Sequence, residues 1–272
     1  MEDWSPGEAF ERRGYATKSA LLLAARGCRA FHEYMPLRYV PSEPGRIYRK
    51  ISYGPLLELF LLDMRSYRGP NNSRAESHYN PDSYLLGPAQ VMWLKRELQR
   101  SAATWKVIST DSPLSTVTAN APDARTPSGR GIEIADLLSF MRRAGIRNTV
   151  WITADLHYTA AHYFDPNNAV FQDFEPFWEF VSGPIHAGTW TSSQLDRMFG
   201  ARVVYQNAAS HEQGENLAPC FGLQFFGHVA IDGKTGVLTV TLKNVEDRTL
   251  WSISLEPNSD ENVRRVAQPL PG

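Results

Sequence analysis

Small and apolar residues at Ala16, Ala20, Leu23, Gly27 and Phe31 recur every three or four positions, which predicts a helix ending before Pro36. The polar turn Pro41-Ser42-Glu43-Pro44-Gly45 follows. Ile47 to Tyr53 reads as an exposed strand, and Gly54-Pro55 turns it into Leu56 to Leu62. That second run is almost all aliphatic, as expected of a strand covered on both faces. Gly69 to Pro88, rich in Asn, Pro and Ser, predicts a surface loop. Val91, Leu94 and Leu98 mark a helix over Ala89 to Ser101, and Trp105 to Ile108 a short strand. Pro113 to Gly131 predicts a long loop beside a site. Ile132 to Ala144 is amphipathic through Leu137, Leu138 and Met141, with Gly145 as its stop. Thr149 to Ala154 is a third buried strand.

Strands alternating with helices in this order predict an α/β sheet. The tail differs. Leu223 to Ile231, the turn Asp232-Gly233-Lys234-Thr235-Gly236, and Val237 to Leu242 read as a hairpin, and Leu250 to Leu255 adds a strand. These C-terminal strands are expected to form antiparallel sheet on the same core.

Composition narrows the function classes. The chain has 272 residues, 28 basic and 29 acidic, for a net charge of -1. Such balance gives no global field for nucleic acid or anionic membrane, and neither partner is predicted. No apolar run approaches the roughly 20 residues needed to span a bilayer. Cys28 and Cys220 are too few for a disulfide framework, though they could form one bridge. Met1 to Glu8 holds no basic or apolar leader, so the chain as written is expected in the cytoplasm, or exported if a signal lies upstream.

Chemistry concentrates just past two predicted strands, where open α/β sheets bind ligands. One cluster is Asp63-Met64-Arg65-Ser66-Tyr67-Arg68, the other Asp155-Leu156-His157-Tyr158. In extended backbone Asp155 and His157 would point to one side, about 6.5 Å apart. They could then reach one cation, or two cations roughly 3.5–4 Å apart. Oxygen and nitrogen together suit iron, zinc or manganese, with calcium at a more oxygen-rich position. The plainer alternative is a turn cap and a satisfied loop histidine. Arg65 and Arg68 offer forks for phosphate, or an ion pair with Asp63. Asp111 caps a turn or lines the site, and His186 sits in a Gly-flanked turn that could present it to a cleft. His162, in an apolar stretch, reads as packed.

Five segments, in order, resemble the PhoD-like alkaline phosphatase family. Leu61 to Asn71 is similar to its Asp-x-Arg-x-x-Arg segment, Trp105 to Pro113 to a following strand, and Val150 to His162 to its Asp-x-His metal motif. Phe177 to Gly188 and Gln224 to Val229 resemble two further signatures. The resemblance runs from about Trp4 onward. It implies one metallophosphatase domain over 1–272: a two-sheet sandwich flanked by helices, with metals at one edge. Asp155 and His157 would be metal ligands and Arg65 the phosphate-binding catalytic arginine; Asp63, Arg68, Asp111 and His186 are weaker candidates. The implied ions are iron and calcium, and the implied substrate a small phosphate monoester, or also a diester.

The family's Gly-Asp, Asp-Asp-His-Glu and cysteine-bearing segments have no counterpart here. The expectation is therefore an incomplete sandwich, truncated on its N-terminal side, with exposed apolar strand faces and poor solubility. A chain of that kind is either an enzyme of the family or a non-catalytic remnant, or a split subunit needing a separately encoded N-terminal half. A sugar- or phosphate-binding module is the third reading.

Overall fold

The computed structural model describes residues 4–9, 14, 16–70, 76–117 and 126–257 of the chain. The expectations for the first three residues and for loop residues 71–75 and 118–125 lie outside the described residues.

Helix α1 spans Ala20–Tyr34, with the Ser19 side chain accepting from the Leu22 amide at 3.3 Å as its N-cap. It begins later than its apolar spacing predicts and stops before Pro36, whose ring cannot continue it. Strand β1 (Arg49–Tyr53) turns at Gly54, in a left-handed conformation, into β2 (Leu57–Leu61). Helix α2 (Pro88–Arg100) opens on a proline, which fits a first helical position needing no amide donor. Strand β3 (Trp105–Ser109), the single turn α3 (Leu114–Val117) and helix α4 (Gly131–Arg143) follow. Gly145 ends α4 with φ 65°, as predicted.

Beyond β4 (Thr149–Thr153) come β5 (Thr159–Phe164), β6 (Phe177–Val181) and β7 (Ala201–Asn207). None of these three was anticipated from the sequence. The tail forms β8 (Phe225–Ile231), β9 (Leu238–Asn244) and β10 (Thr249–Leu255), the hairpin and extra strand that were expected.

Strands β1 to β7 make one sheet in the order β1-β2-β3-β4-β6-β5-β7. Strands β2, β3, β4 and β6 run parallel, while β1, β5 and β7 pair antiparallel to their neighbours. Four carboxyl ends therefore open onto one edge. The antiparallel sheet β10-β9-β8 stacks on one face of the large sheet, and α2 and α4 cover the other. The helix-side core gathers Phe60, Ile108 and Trp151 with Leu94 and Leu98 of α2 and Ile134 and Leu137 of α4. Each such side chain contributes about 1.5–3 kcal/mol when fully buried.

Exposed apolar side chains of the kind expected of an incomplete sandwich occur at Ile51 and Tyr53 of β1, Val203 of β7 and Val229 of β8, while the face between the two sheets is filled. Leu238, Val240 and Leu242 alternate inward along β9 and pack on Trp105, Val107, Val150, Trp178 and Phe180. The Trp105 indole N–H also donates to the Gly236 carbonyl at 2.7 Å, tying β3 to the β8–β9 turn. A Trp105→Ala change would remove both packing and tether, at a cost of about 3–5 kcal/mol. Both cysteines are free, so the single bridge that two cysteines allow is not made. No helix among the described residues is long and apolar enough to cross a membrane.

Candidate metal and phosphate site

The parallel strands deliver their polar residues to the shared carboxyl edge: Asp63 and Arg65 after β2, Asp111 and Ser112 after β3, Asp155 and His157 after β4. An open cleft of about 680 Å³ there is lined by Arg65, Asp155, His157, Trp190, Glu215 and Asn216, among others.

Asp155 and His157 both face this cleft, but not by strand alternation. Strand β4 has ended at Thr153, and the two residues adopt positive φ, 72° and 57°. The extended-backbone spacing is overturned: a tight turn, not a pleat, brings the pair together. Such conformations cost side-chain-bearing residues free energy and recur where function holds them in place. Asp155 accepts at Oδ2 from the Ser112 hydroxyl at 3.0 Å. His157 Nδ1 lies 2.6 Å from the Gly188 carbonyl, which can only accept. Nδ1 therefore carries a proton, which in the neutral ring leaves the lone pair on Nε2, the arrangement typical of a metal-binding imidazole. Trp190 stands edge-on to the ring, with centroids 6.3 Å apart, and donates its amide to the His157 carbonyl at 3.1 Å.

Arg65 places Nε 3.3 Å from Asp111 Oδ2. Burial pushes the Asp111 carboxyl above its ordinary pKa, against the pull of backbone amides and of Arg65. Asp63 is buried and does not pair with an arginine through Oδ1. That oxygen accepts the Arg65 and Ser66 amides at 3.0 and 2.9 Å and shapes the turn that presents Arg65. Gln90, on α2, grips the Asp63 backbone on both sides: Asp63 N–H donates to Oε1 and Nε2 donates to the Asp63 carbonyl, each at 2.8 Å. Arg68 is buried and lines no part of the cleft, and His186 is exposed and also outside its lining. The Gly-flanked turn serves the site differently from expectation, offering the Gly188 carbonyl to His157 rather than His186 to a ligand.

The donors fit a metal in part. One carboxylate and one imidazole with a fixed tautomer suit a mixed oxygen and nitrogen sphere. No cluster of three or more His, Cys, Asp and Glu occurs among the described residues. The pair therefore supplies two positions, and other groups must complete the sphere.

Sequence reasoning missed Ser112, Trp190, Glu215 and Asn216. Asn216 has φ 56°, and its side chain would collide with a Cβ at Gly188. A glycine followed by the polar run Thr189 to Gln194 was the available signal. His162 is packed, as expected, with Nδ1 3.1 Å from Glu179 Oε2 and no exposure. Glu179 also accepts the Leu114 amide at 2.6 Å, pinning the turn that follows Asp111 and Ser112.

A family profile described as PhoD-like phosphatase matches residues 1–242. Alkaline phosphatase D of Bacillus subtilis (strain 168) is 27% identical over 195 residues, 66% of this chain and 32% of the relative. The chain thus spans about a third of that curated relative's length. A solved structure of PhoD superposes with a TM-score of 0.54 at 19% identity, covering 96% of this chain and 56% of that one. That likeness bears on fold alone, and it agrees with the two-sheet sandwich seen here. A purple acid phosphatase from yellow lupin (Lupinus luteus) seeds gives 0.46 at 11% identity, over 93% of this chain and 38% of that one. With its profile matched across most of its length, this chain belongs to the PhoD-like phosphatase family.

Proposed function

We propose that the chain forms part of a metal-dependent phosphoric ester hydrolase acting on phosphomonoesters, and on diesters as well. Asp155 and His157 would hold the metal, and Arg65 would bind the phosphate. One observation supports the reading: Arg65 after one strand end and Asp155 and His157 after another line one cleft, with the imidazole tautomer already set for a metal.

A bound metal supplies Lewis acidity and positive charge at the phosphate oxygens. Iron and calcium are the ions the family resemblance implies. Residues of the chain do the rest. The Ser112 hydroxyl occupies one Asp155 oxygen and leaves the other to turn toward the cleft. Gly188 fixes the His157 ring. Asp111 takes Nε of Arg65 and so aims the guanidinium, whose planar fork matches two phosphate oxygens and offsets charge that develops during transfer.

The test is metal content of the purified chain, with and without added iron and calcium, alongside hydrolysis of p-nitrophenyl phosphate and its bis-ester. Stoichiometric metal, with chelator-sensitive turnover that Asp155→Ala abolishes, is the expected result. Neither metal nor turnover would refute a self-sufficient site, and would favour a subunit whose remaining donors come from another polypeptide.

A further inference from the structure

Arg65 is a wall shared by two cavities of opposite character. The second, of about 390 Å³, does not include Asp155 in its lining and is walled by Trp4, Leu23, Gly27, Phe31, Ile47 and Leu62. Helix α1 explains why this cavity is apolar. Of its 15 residues only Ala20 is buried, so the stripe at Leu23, Gly27 and Phe31 lines the cavity instead of entering the core. The floor carries one polar feature without a partner. Asp63 is 4% exposed, and its Oδ2 makes no hydrogen bond while Oδ1 is occupied by the two amides. A buried carboxylate oxygen left unsatisfied is costly, and a ligand donor would satisfy it.

We propose that this cavity receives the alcohol portion of the phosphate ester: an apolar alkyl or aryl group carrying a hydroxyl or amino donor for Asp63 Oδ2. The inference rests on the phosphatase reading of the cleft. It adds the substrate class: esters of apolar alcohols in preference to sugar phosphates. Arg65 is the hinge of the proposal, since the phosphate it binds sits at the mouth of the cavity that would take the ester's other half.

The experiment titrates the full chain calorimetrically with methyl-, butyl- and hexylphosphonate, and with hexylphosphonate bearing a terminal hydroxyl. Affinity should rise about threefold to fourfold per methylene, with the hydroxyl compound binding at least as tightly as its parent. Gly27→Leu, at a position where a new Cβ meets nothing within 4 Å, should fill the cavity and flatten the series. Ala30→Leu, on the exposed side of α1, should leave it steep. A flat series in the unmodified chain, or an equally steep one in Gly27→Leu, overturns the proposal. So does a strong loss on adding the hydroxyl. A second copy seated on the cavity would show as a dimer in sedimentation with a flat series, and would overturn it too. Hydrolysis is read separately. Turnover without length dependence sinks the cavity alone, and length dependence without turnover sinks the hydrolase reading while the binding pocket stands.

Discussion

Glu133 projects from α4 into the segment leading to α2 and collects four donors. Its Oε2 accepts the amides of Leu85, Leu86 and Gly87 at 2.9, 2.7 and 3.2 Å, and its Oε1 accepts the Tyr79 hydroxyl at 3.1 Å. Replacing it with alanine strands two short and one longer amide bond in a buried place. Each unsatisfied amide costs about 1–3 kcal/mol, so with the longest bond discounted the total is about 2–6 kcal/mol. Glutamine should cost far less, about 1–2 kcal/mol, since its carbonyl can still face the amides and only the charge is lost. Urea unfolding followed by tryptophan fluorescence measures both. The alanine variant should also melt on the order of 10 °C lower, at about 2–4 °C per kcal/mol for a chain of this size. A second readout separates charge from packing. Burial, and after it the Glu133 charge, push the Tyr79 hydroxyl well above the usual tyrosine pKa, so either substitution should bring that titration down. An alanine variant within about 1 kcal/mol of the parent would show that these amides find other partners, and the reasoning would fail.

Arg65→Lys keeps the charge but loses the fork, and should lower kcat/KM about tenfold to a hundredfold in steady-state assays. Gly188→Ala drives a Cβ into Asn216 and moves the carbonyl that orients His157; metal affinity measured by competition with a chelator should fall about tenfold to a hundredfold. Lys50 lies 3.3 Å from both Glu58 and Glu97. Burial pushes these carboxyls up, yet hydrogen bonds from serine hydroxyls, Ser52 among them, on Glu58 and from Arg96 on Glu97, and after these from Lys50 on both, leave each below the ordinary glutamate value. Groups with a depressed folded pKa stabilise above their unfolded pKa and lose that contribution as pH falls through the folded value. Lys50→Met should therefore be less stable than the parent near neutral pH, with the gap closing on acidification in denaturant titrations.

The elements legible from sequence are those with one wet face. Helices α2 and α4 and strand β9 keep a polar side, so their spacing survives as a pattern. Strands β5 and β6 are buried along their whole length, through Thr159–Phe164 and Phe177–Val181, and carry no alternation to read. Two of their polar members, His162 and Glu179, hydrogen-bond through Nδ1 and Oε2 across paired strands, a relation that pattern alone cannot express. The site divides the same way. Asp155, His157 and Arg65 were visible as polar residues following aliphatic strands. Gly188 and Ser112 act through hydrogen bonds to residues 31 and 43 positions away, and only the fold supplies those partners.

The left-handed turn carrying Asp155 and His157 sets two selective pressures against each other. At these φ values the backbone alone would favour glycine, which adopts them without a Cβ penalty of on the order of 1 kcal/mol apiece. Under the proposed metal-holding role, a lineage released from it would gain stability by drifting to glycine at either position. Keeping a carboxylate and an imidazole there thus opposes folding, and under the proposed metal-holding role these two positions would gauge whether a homologous chain binds a metal.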